Sequence, residues 1–308
     1  MATPEKIAEI RRLIVKAKRF DLMFAALGVL ALSIGILTLV ALIVNMAIDG
    51  VPRLNIEFFT SFPSRKAANA GILSAWVGSM LVMLVTALAA IPLGIAAAIY
   101  LEEYAAKNWV TAIIEINISN LAGVPSIVYG LLALGVFVYA LGFGQSILSA
   151  GLTLALLILP VVIVATREAI RSIPVGIREG AYGVGATKWQ VTADHIVPYS
   201  MPGILTGVII GLARAIGETA PIITIGALTF IAFLPPSPVG PEFPFLNFDW
   251  LKSAFTVMPI QMFNWTSRPE EAFQKNAAAA GLVLVVMTLS MNAFAIWLRY
   301  RLRKSLKW

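Results

Sequence analysis

The stretch REAIRSIPVGIREGAYGVGATKWQVTADHIVPYSMPGI, residues 167–204, places charges, prolines and glycines between two long apolar runs. Pro174 can occupy the first turn of a short helix, where a missing N–H costs no hydrogen bond. Gly183 or Gly185 can end that helix, because glycine tolerates the left-handed conformation of a C-terminal cap. The first half of the stretch therefore predicts a short helix followed by a glycine turn.

The second half carries the signals of another helix. Thr187 followed three residues later by Gln190 has the form of a capping box, and Pro198 is expected to end the helix. Together the two halves predict a helical hairpin that lies at a membrane surface. The residues expected to keep one side of the first helix small are Gly180, Ala181, Val184 and Gly185.

The rest of the chain has the composition of a membrane protein. Of its 308 residues, 59% are hydrophobic and 13% charged, and the mean hydropathy is +0.87. A helix needs about 20 apolar residues to cross a hydrocarbon core of roughly 30 Å. We predict an all-α polytopic membrane protein with six transmembrane helices, near residues 22–48, 71–101, 119–142, 146–166, 203–233 and 278–298.

The basic residues predict the orientation of these spans. Sixteen of the 23 Lys and Arg residues fall on one side of the predicted membrane, six fall on the other, and the last is Arg214, inside a span. Cytoplasmic segments retain basic residues, so both termini are expected to face the cytoplasm of a bacterial or archaeal cell. This distribution explains the net charge of +7 better than nucleic-acid binding does.

The chain divides into three predicted parts. A cytoplasmic tail, the first span and an external loop occupy residues 1–70, a core of five predicted spans occupies 71–300, and a basic cytoplasmic tail occupies 301–308. Within the core lie the cytoplasmic loop 167–202 and a Pro- and aromatic-rich external loop, 234–277, which is expected to be ordered or to contact a partner.

Several kinds of chemistry are excluded by what the sequence lacks. The chain has no cysteine, which excludes disulfides, thiol catalysis and thiolate metal sites. Its single histidine cannot build a metal site or a catalytic triad without partners. No G-x-x-x-x-G-K-[ST] motif is present to cradle phosphates. We expect no enzyme activity, no metal and no cofactor on this chain, so any ATP must be bound by another subunit.

The hairpin resembles the EAA loop of bacterial ABC-importer permeases. In that family the loop contains a coupling helix that docks into a groove of the cytoplasmic ATPase subunit, and the resemblance implies the same contact here. Gly180 stands where the family pattern has Ala, a change between two small residues. The alternative is an amphipathic hairpin that lies on the bilayer. The matching positions are Glu179, Gly180, Ala181, Gly185, Ile196 and Pro198.

Within these permeases, the chain is most similar to the PstA family of phosphate importers. The similarity extends from about residue 70 onward and is carried by LAGVPSIVYGLLALG (121–135), ARAIGETAPIITIGA (213–227) and, more weakly, FTVMPIQMFNW (255–265). It implies a type I importer permease fold that provides half of the translocation pathway. The implied partners are a homologous PstC-like permease, a dimer of PstB-like ATPase subunits and an external PstS-like phosphate-binding protein.

Two charged residues stand inside the predicted fifth span. A charge near the middle of a membrane costs at least ~2.5 kcal/mol, so it normally faces a partner or a water-filled path. The guanidinium of Arg214 suits bidentate contact with phosphate, and Glu218 could accept a hydrogen bond from the P–OH that phosphate has and sulfate lacks. Alternatively, the two residues form an intrahelical pair that neutralises both.

Breaks in the helices are predicted beside these residues. Pro221 lacks an N–H and crowds the carbonyl of Gly217, so the fifth span is expected to kink or break there, with Thr219 on the substrate path. Pro125 is expected to break or begin the third span. A helix that begins near Ser126 would direct free N–H groups at an anion, although a plain helix start is an alternative.

Three other functions remain open from the sequence. The permease could carry another oxyanion, such as sulfate or molybdate. A proton-coupled secondary transporter could use Glu218 as its proton carrier, although the docking hairpin and the lack of an inverted repeat argue against it. A purely structural membrane scaffold would not need Arg214.

Overall fold

A computed structural model of the chain describes residues 4–239 and 247–305, with side chains described for 13–239 and 247–301. All elements in these ranges are helices. They are α1 (Pro4–Gly50), α2 (Ile56–Thr60), α3 (Leu73–Ile99), α4 (Trp109–Leu121), α5 (Ser126–Ala133), α6 (Ile147–Arg171), α7 (Val175–Gly183), α8 (Lys188–Gln190), α9 (Val197–Ile216), α10 (Ala220–Ile225), α11 (Met258–Thr266) and α12 (Glu271–Ser305). Segments 1–3, 240–246 and 306–308 lie outside the described residues, and so do the side chains of residues 4–12 and 302–305.

Wider π-turns extend or join several of these helices. One turn, Tyr100–Tyr104, continues α3, and another, Leu134–Ala140, continues α5. A third turn, Val191–Ile196, joins α8 to α9. Short 3-10 turns lie at Val51–Arg53, Ala67–Asn69 and Asp249–Lys252.

Five helical segments are long and apolar enough to cross a membrane: Leu13–Arg53, Leu73–Tyr104, Ile147–Arg171, Lys188–Ile216 and Glu271–Arg301. A sixth passes the same test only as a pair, because α4 and the extended α5 meet at a bend of 107°. The predicted break at Pro125 is therefore confirmed, whereas the predicted start near residue 119 was wrong, because the bent pair begins at Trp109. The bend lies just before Pro125, whose ring has no N–H to donate and disfavours helical geometry in the residue before it.

The fifth span also differs from its prediction. It begins at Lys188 rather than near residue 203, and Pro198 does not end the second helix of the hairpin but lies in the first turn of α9. A π-turn immediately precedes Pro198 and shifts the helical hydrogen-bond pattern, which accommodates a residue without an N–H. The second arm of the hairpin is therefore the end of the fifth span.

The core of the bundle consists of α6 between α3 and α9. Gly94 of α3 lies against Val162 of α6, and Val85 of α3 lies against Gly151 of α6, so these two helices run parallel. Gly207 of α9 lies against Ala165 of α6, and α9 runs antiparallel to α6. At each of these glycines an added Cβ would come within 3 Å of the neighbouring side chain. Small residues let membrane helices approach closely, which is a main source of their packing energy.

The same helix directions define two ends of the bundle. The basic end holds Lys107, the last turn of α6 and the hairpin formed by α7 and α8; the opposite end holds α2 and α11. At the opposite end, Arg53 joins three segments, because it donates to Asn276 Oδ1 at 2.8 Å and to the carbonyl oxygens of Ala68 at 2.6 Å and Ala70 at 3.0 Å. These bonds join the end of α1 to α12.

Candidate functional site

The fifth span breaks in the middle of the apolar bundle. Helix α9 ends at Ile216 with Gly217 as its C-cap, and α10 begins at Ala220 with Pro221 in its first turn. A proline is well placed there, because the first N–H groups of a helix have no intrahelical partner. The structure thus places the two predicted break residues on either side of a non-helical step that contains Glu218 and Thr219.

Arg214 and Glu218 face each other across this step. Arg214 Nε donates to Glu218 Oε1 at 3.3 Å, and the two side chains are 39% and 18% exposed. Ile210, Arg214 and Gly217 lie one helical turn apart and are all exposed, so they form an uncovered stripe on the fifth span. The predicted pair therefore forms, on a face that the rest of the chain leaves open.

The carboxylate of Glu218 adjoins a small and mainly apolar cavity. Leu154, Ile222 and Val257 contribute to its wall. The hydroxyl of Ser79, which also lines it, accepts a hydrogen bond from the backbone N–H of Met258 at 2.8 Å. Among the described residues, Arg214 is the only ion-pair partner of Glu218.

The bent third span crosses α10 beside this pair. An added Cβ at Gly130 would lie 2.7 Å from Pro221 Cα and would meet the hydroxyl of Thr224. Ser126 lies one turn earlier and half buried at the start of α5, and among the described contacts no hydrogen bond links it to Arg214. The structure thus brings the two broken helices together at Gly130.

Tyr129 holds the bend in the third span. Its buried hydroxyl donates to the carbonyl oxygen of Leu121, the last residue of α4, at 2.7 Å. The same carbonyl oxygen also accepts from the backbone N–H of Val124 at 3.1 Å, so the turn after α4 and the start of α5 are both hydrogen-bonded to the end of α4. The plain helix start weighed from the sequence has Tyr129 packing between helices, and only its hydrogen bond to Leu121 was not predicted.

The hairpin at the basic end has the predicted turn chemistry. Helix α7 has Pro174 as its N-cap, Gly185 adopts a φ of +86°, and Thr187 forms a complete capping box with Gln190. Glycine is the residue that adopts a positive φ without strain. The hairpin is therefore a rigid structure rather than a loose loop.

The proposed coupling positions divide between two faces of the hairpin. Ala181 and Ile196 are buried in an apolar cluster at the basic end, Pro198 is half buried, and Glu179, Gly180 and Gly185 are exposed. The predicted small side is thus wrong in detail, since Ala181 faces inward. Open space surrounds Gly180 and Gly185. Four large apolar side chains lie exposed on the same hairpin: Val175 (63%), Tyr182 (45%), Val184 (87%) and Trp189 (70%).

Ion pairs attach the hairpin and α4 to the bundle, and sequence reasoning missed them. Arg178 of α7 pairs with Glu103 at 2.9 Å, and Arg167 of α6 pairs with Glu102 at 3.3 Å and Glu115 at 2.6 Å. The chain has only 16 acidic residues. Two of them, Glu102 and Glu103, are adjacent and directly follow an apolar span, which indicated that these arginines have specific partners.

The family of the chain follows from comparison with known proteins. Residues 90–308 match the family model of the binding-protein-dependent transport system inner membrane component. The chain belongs to this family and is a multi-pass membrane permease of an ABC importer, a class that works with an ATPase and a substrate-binding protein.

Individual relatives narrow the comparison. The chain is 34% identical over 230 residues to the phosphate transport system permease protein PstA of Mycobacterium leprae (strain TN), which covers 75% of this chain and 71% of the relative. It is also 34% identical over 305 residues to the probable ABC transporter permease protein YqgH of Bacillus subtilis (strain 168), with 96% and 91% covered.

Solved structures of importers share the fold. A bacterial ABC transporter that imports the acidic polysaccharide alginate matches with a TM-score of 0.61 at 16% identity, over 94% of this chain and 99% of that chain. The MetNI methionine ABC transporter matches with a TM-score of 0.56 at 13% identity, over 73% and 94%. The predicted fold of an ABC-importer permease is confirmed.

Proposed function

We propose that the chain is one permease subunit of an ATP-driven importer of inorganic phosphate and forms half of its translocation pathway. The observation that carries this proposal is Arg214, a half-exposed guanidinium on an uncovered stripe beside a break in a membrane-spanning helix. The similarity to phosphate transport permeases supports phosphate as the cargo. The chain itself binds no cofactor and has no ATPase site.

Arg214 provides the attraction for the anion. An arginine carries five N–H donors, and the contact with Glu218 uses only Nε. The pair with Glu218 therefore orients the guanidinium and leaves its other N–H donors available for the anion. In this arrangement both predicted roles of the pair apply together, because the intrahelical contact positions the group that meets the anion.

Glu218 provides discrimination among oxyanions. At neutral pH phosphate carries at least one P–OH, which can donate a hydrogen bond to a carboxylate, whereas sulfate has no such proton. A site that hydrogen-bonds a particular group rejects an analogue that lacks it, because the buried partner is then left unpaired. Thr219, at the start of α10, lies on the same path, and Ser126 of α5 approaches it from the third span.

The partners follow from the two exposed regions. The uncovered stripe of the fifth span faces a homologous PstC-like permease, and the path lies between the two subunits. The exposed apolar residues of the hairpin and its coupling positions dock on a PstB-like ATPase dimer, so the basic end and both termini are cytoplasmic. A PstS-like protein delivers phosphate at the opposite end. Closure of the ATPases on ATP moves the hairpin and reorients the path.

Uptake by the reconstituted complex tests this function. We expect radiolabelled phosphate to enter vesicles only with ATP and the ATPase subunit, to continue in the presence of a proton uncoupler, and to resist competition by excess sulfate. Uptake that stops with the uncoupler but not without ATP would contradict it and favour a secondary transporter. Uptake of sulfate or molybdate in place of phosphate would assign a different oxyanion.

Variants of the pair test its role. Arg214→Gln and Glu218→Gln should each reduce phosphate uptake, and the double variant should not recover it, since each residue contacts the anion. Recovery in the double variant would mean that the two charges only neutralise each other. Unchanged uptake in Arg214→Gln would support a structural scaffold instead.

A further inference from the structure

The first helix of the hairpin, α7, buries little apolar surface and is attached to the bundle by one arginine. Ala181 is the only buried residue of α7. The guanidinium of Arg178 donates to Glu103 at 2.9 Å and to the carbonyl oxygens of Ile173 at 2.9 Å and Ile170 at 3.1 Å. With side chains only 20% and 9% exposed, Arg178 and Glu103 join α7 to the ends of α6 and α3 at once.

Helix α4 is held in the same way. It has no buried residue, and a cavity of about 410 Å³ opens between it and α6. Arg167 spans this region, because its guanidinium lies 2.6 Å from Glu115 on α4 and 3.3 Å from Glu102 at the end of α3. The side chain of Arg167 is only 7% exposed, whereas that of Glu115 is 33% exposed and faces the cavity, so solvent and salt reach this contact from the α4 side.

Adjacent residues connect the two arginines. Glu102 and Glu103 both lie on the π-turn that ends α3, and neighbouring residues of a helix face different directions. Glu103 therefore reaches the hairpin while Glu102 reaches α6 and, through Arg167, α4. A continuous set of ion pairs runs from α7 to α4.

The set continues to the break in the fifth span. Helix α4 ends at Leu121, whose carbonyl oxygen accepts from Tyr129 of α5 at 2.7 Å. One residue further, Gly130 lies directly against Pro221 of α10, which is three residues from Glu218. Ion pairs, one hydrogen bond and one close contact, joined by short stretches of the chain itself, thus connect the hairpin to the Arg214–Glu218 pair.

We infer that Arg178 and Arg167 are positioning residues that transmit movement of the hairpin to the bent third span and so to the Arg214–Glu218 pair. We call the series Arg178–Glu103, Glu102–Arg167 and Arg167–Glu115 the ion-pair relay. This inference rests on the proposed function, since it assigns the relay to coupling ATP hydrolysis to cargo movement. Apolar packing holds α3, α6 and α9 as the frame against which the relay moves α4 and α5.

The amount of phosphate transported per ATP hydrolysed, measured in the reconstituted complex, tests the relay. Glu103→Gln and Glu115→Gln preserve side-chain shape and remove one charge from each link. We expect both variants to assemble with the ATPase and hydrolyse ATP, while phosphate moved per ATP falls at least about fivefold, the lower bound of typical coupling between sites. Glu271→Gln is the matched control, because Glu271 is 81% exposed and its described ion pair lies within α12, with Lys275, away from the relay.

A second readout separates the relay from the choice of substrate. The stimulation of ATP hydrolysis by the loaded binding protein should also fall in Glu103→Gln and Glu115→Gln but not in Glu271→Gln. If the wild-type complex moves no phosphate but this pattern of stimulation holds, phosphate is the wrong cargo and the relay stands. If the wild-type complex moves phosphate and the two relay variants retain full coupling, the relay is wrong and the proposed function stands.

Discussion

Helices α6 and α4 lie side by side and are held to the molecule by different forces. Sixteen of the 25 residues of α6 are buried, with glycine contacts to its neighbours on either side. None of the 13 residues of α4 is buried, and its principal link to α6 is the Arg167–Glu115 ion pair. Close apolar packing tolerates few alternative arrangements, whereas a polar link can re-form in a second geometry.

This difference separates a frame from a movable part. The frame consists of α3, α6 and α9. The movable part consists of the α4–α5 bend and α10, which meet at Gly130. The Arg214–Glu218 pair spans the boundary, because Arg214 lies on α9 and Glu218 lies between α9 and α10. An importer needs both, because the ATPase can change the pathway only if one part of the permease moves relative to another part that stays fixed.

Breaking the frame should have the largest effect. In Gly151→Ala the new Cβ would overlap the Val85 side chain at the α3–α6 contact. Overpacking of a close contact typically costs about 1–3 kcal/mol and here has no room to relax. We expect little folded protein by size-exclusion chromatography in detergent. Gly135→Ala is the matched control, because open space surrounds Gly135, and equal yields of the two variants would contradict the distinction.

Separating the two broken helices should leave the frame intact and reduce transport. In Gly130→Ala the Cβ would lie 2.7 Å from Pro221 Cα, so α5 and α10 must move apart. We expect a folded protein with phosphate uptake reduced at least about tenfold, equivalent to ~1.4 kcal/mol in a coupling equilibrium. Loss of folding as complete as in Gly151→Ala would place this crossing in the frame instead.

Removing one hydrogen bond from the bend should have a moderate effect. Tyr129→Phe keeps the ring and removes only the donor to Leu121. A hydrogen bond of this kind contributes about 0.5–1.5 kcal/mol, which predicts roughly a two- to tenfold loss of uptake with little change in thermal stability. Tyr139→Phe is a suitable control, since the ring of Tyr139 is 73% exposed. Unchanged uptake in Tyr129→Phe would mean that this hydrogen bond does not shape the bend.

The smallest effect is expected from an ion pair within one helix. Glu271 and Lys275 of α12 pair at 2.9 Å with exposed side chains. Exposed i,i+4 pairs contribute little because solvent screens them, so Glu271→Gln should change uptake by less than about threefold. A larger loss would show that the effect of an ion pair here does not depend on joining two elements.

Local signals in the sequence predicted much of the fold. Apolar length located the membrane-spanning regions, the Thr187 and Gln190 pattern gave the start of a helix, and Gly217 with Pro221 gave the position of a break. Each of these features is decided within a few residues of chain. The extent of the fifth span was not predictable in this way, because Pro198 is a helix stop by local rules and only the preceding π-turn accommodates it.

The candidate site was predictable only in part. The spacing of Arg214 and Glu218 is visible in the sequence, and so is the charge anomaly. The contacts between distant segments are not: Gly130 against Pro221, and Arg167 with Glu102 and Glu115, depend on how the helices assemble. The composition of an apolar span does not indicate which neighbouring helix it contacts. The geometry of the bend and the ion-pair relay could therefore be identified only in the structure.

The most direct test of the account is the initial rate of ATP-driven phosphate uptake by Arg214→Gln beside Lys275→Gln. Both substitutions remove the basic partner of an i,i+4 ion pair, but only Arg214 lies at the break in the fifth span. Loss of a charge-assisted contact of about 1.5–3 kcal/mol predicts roughly a 10- to 100-fold lower rate for Arg214→Gln and a nearly unchanged rate for Lys275→Gln. Equal rates for the two variants would contradict a role for Arg214 in binding phosphate.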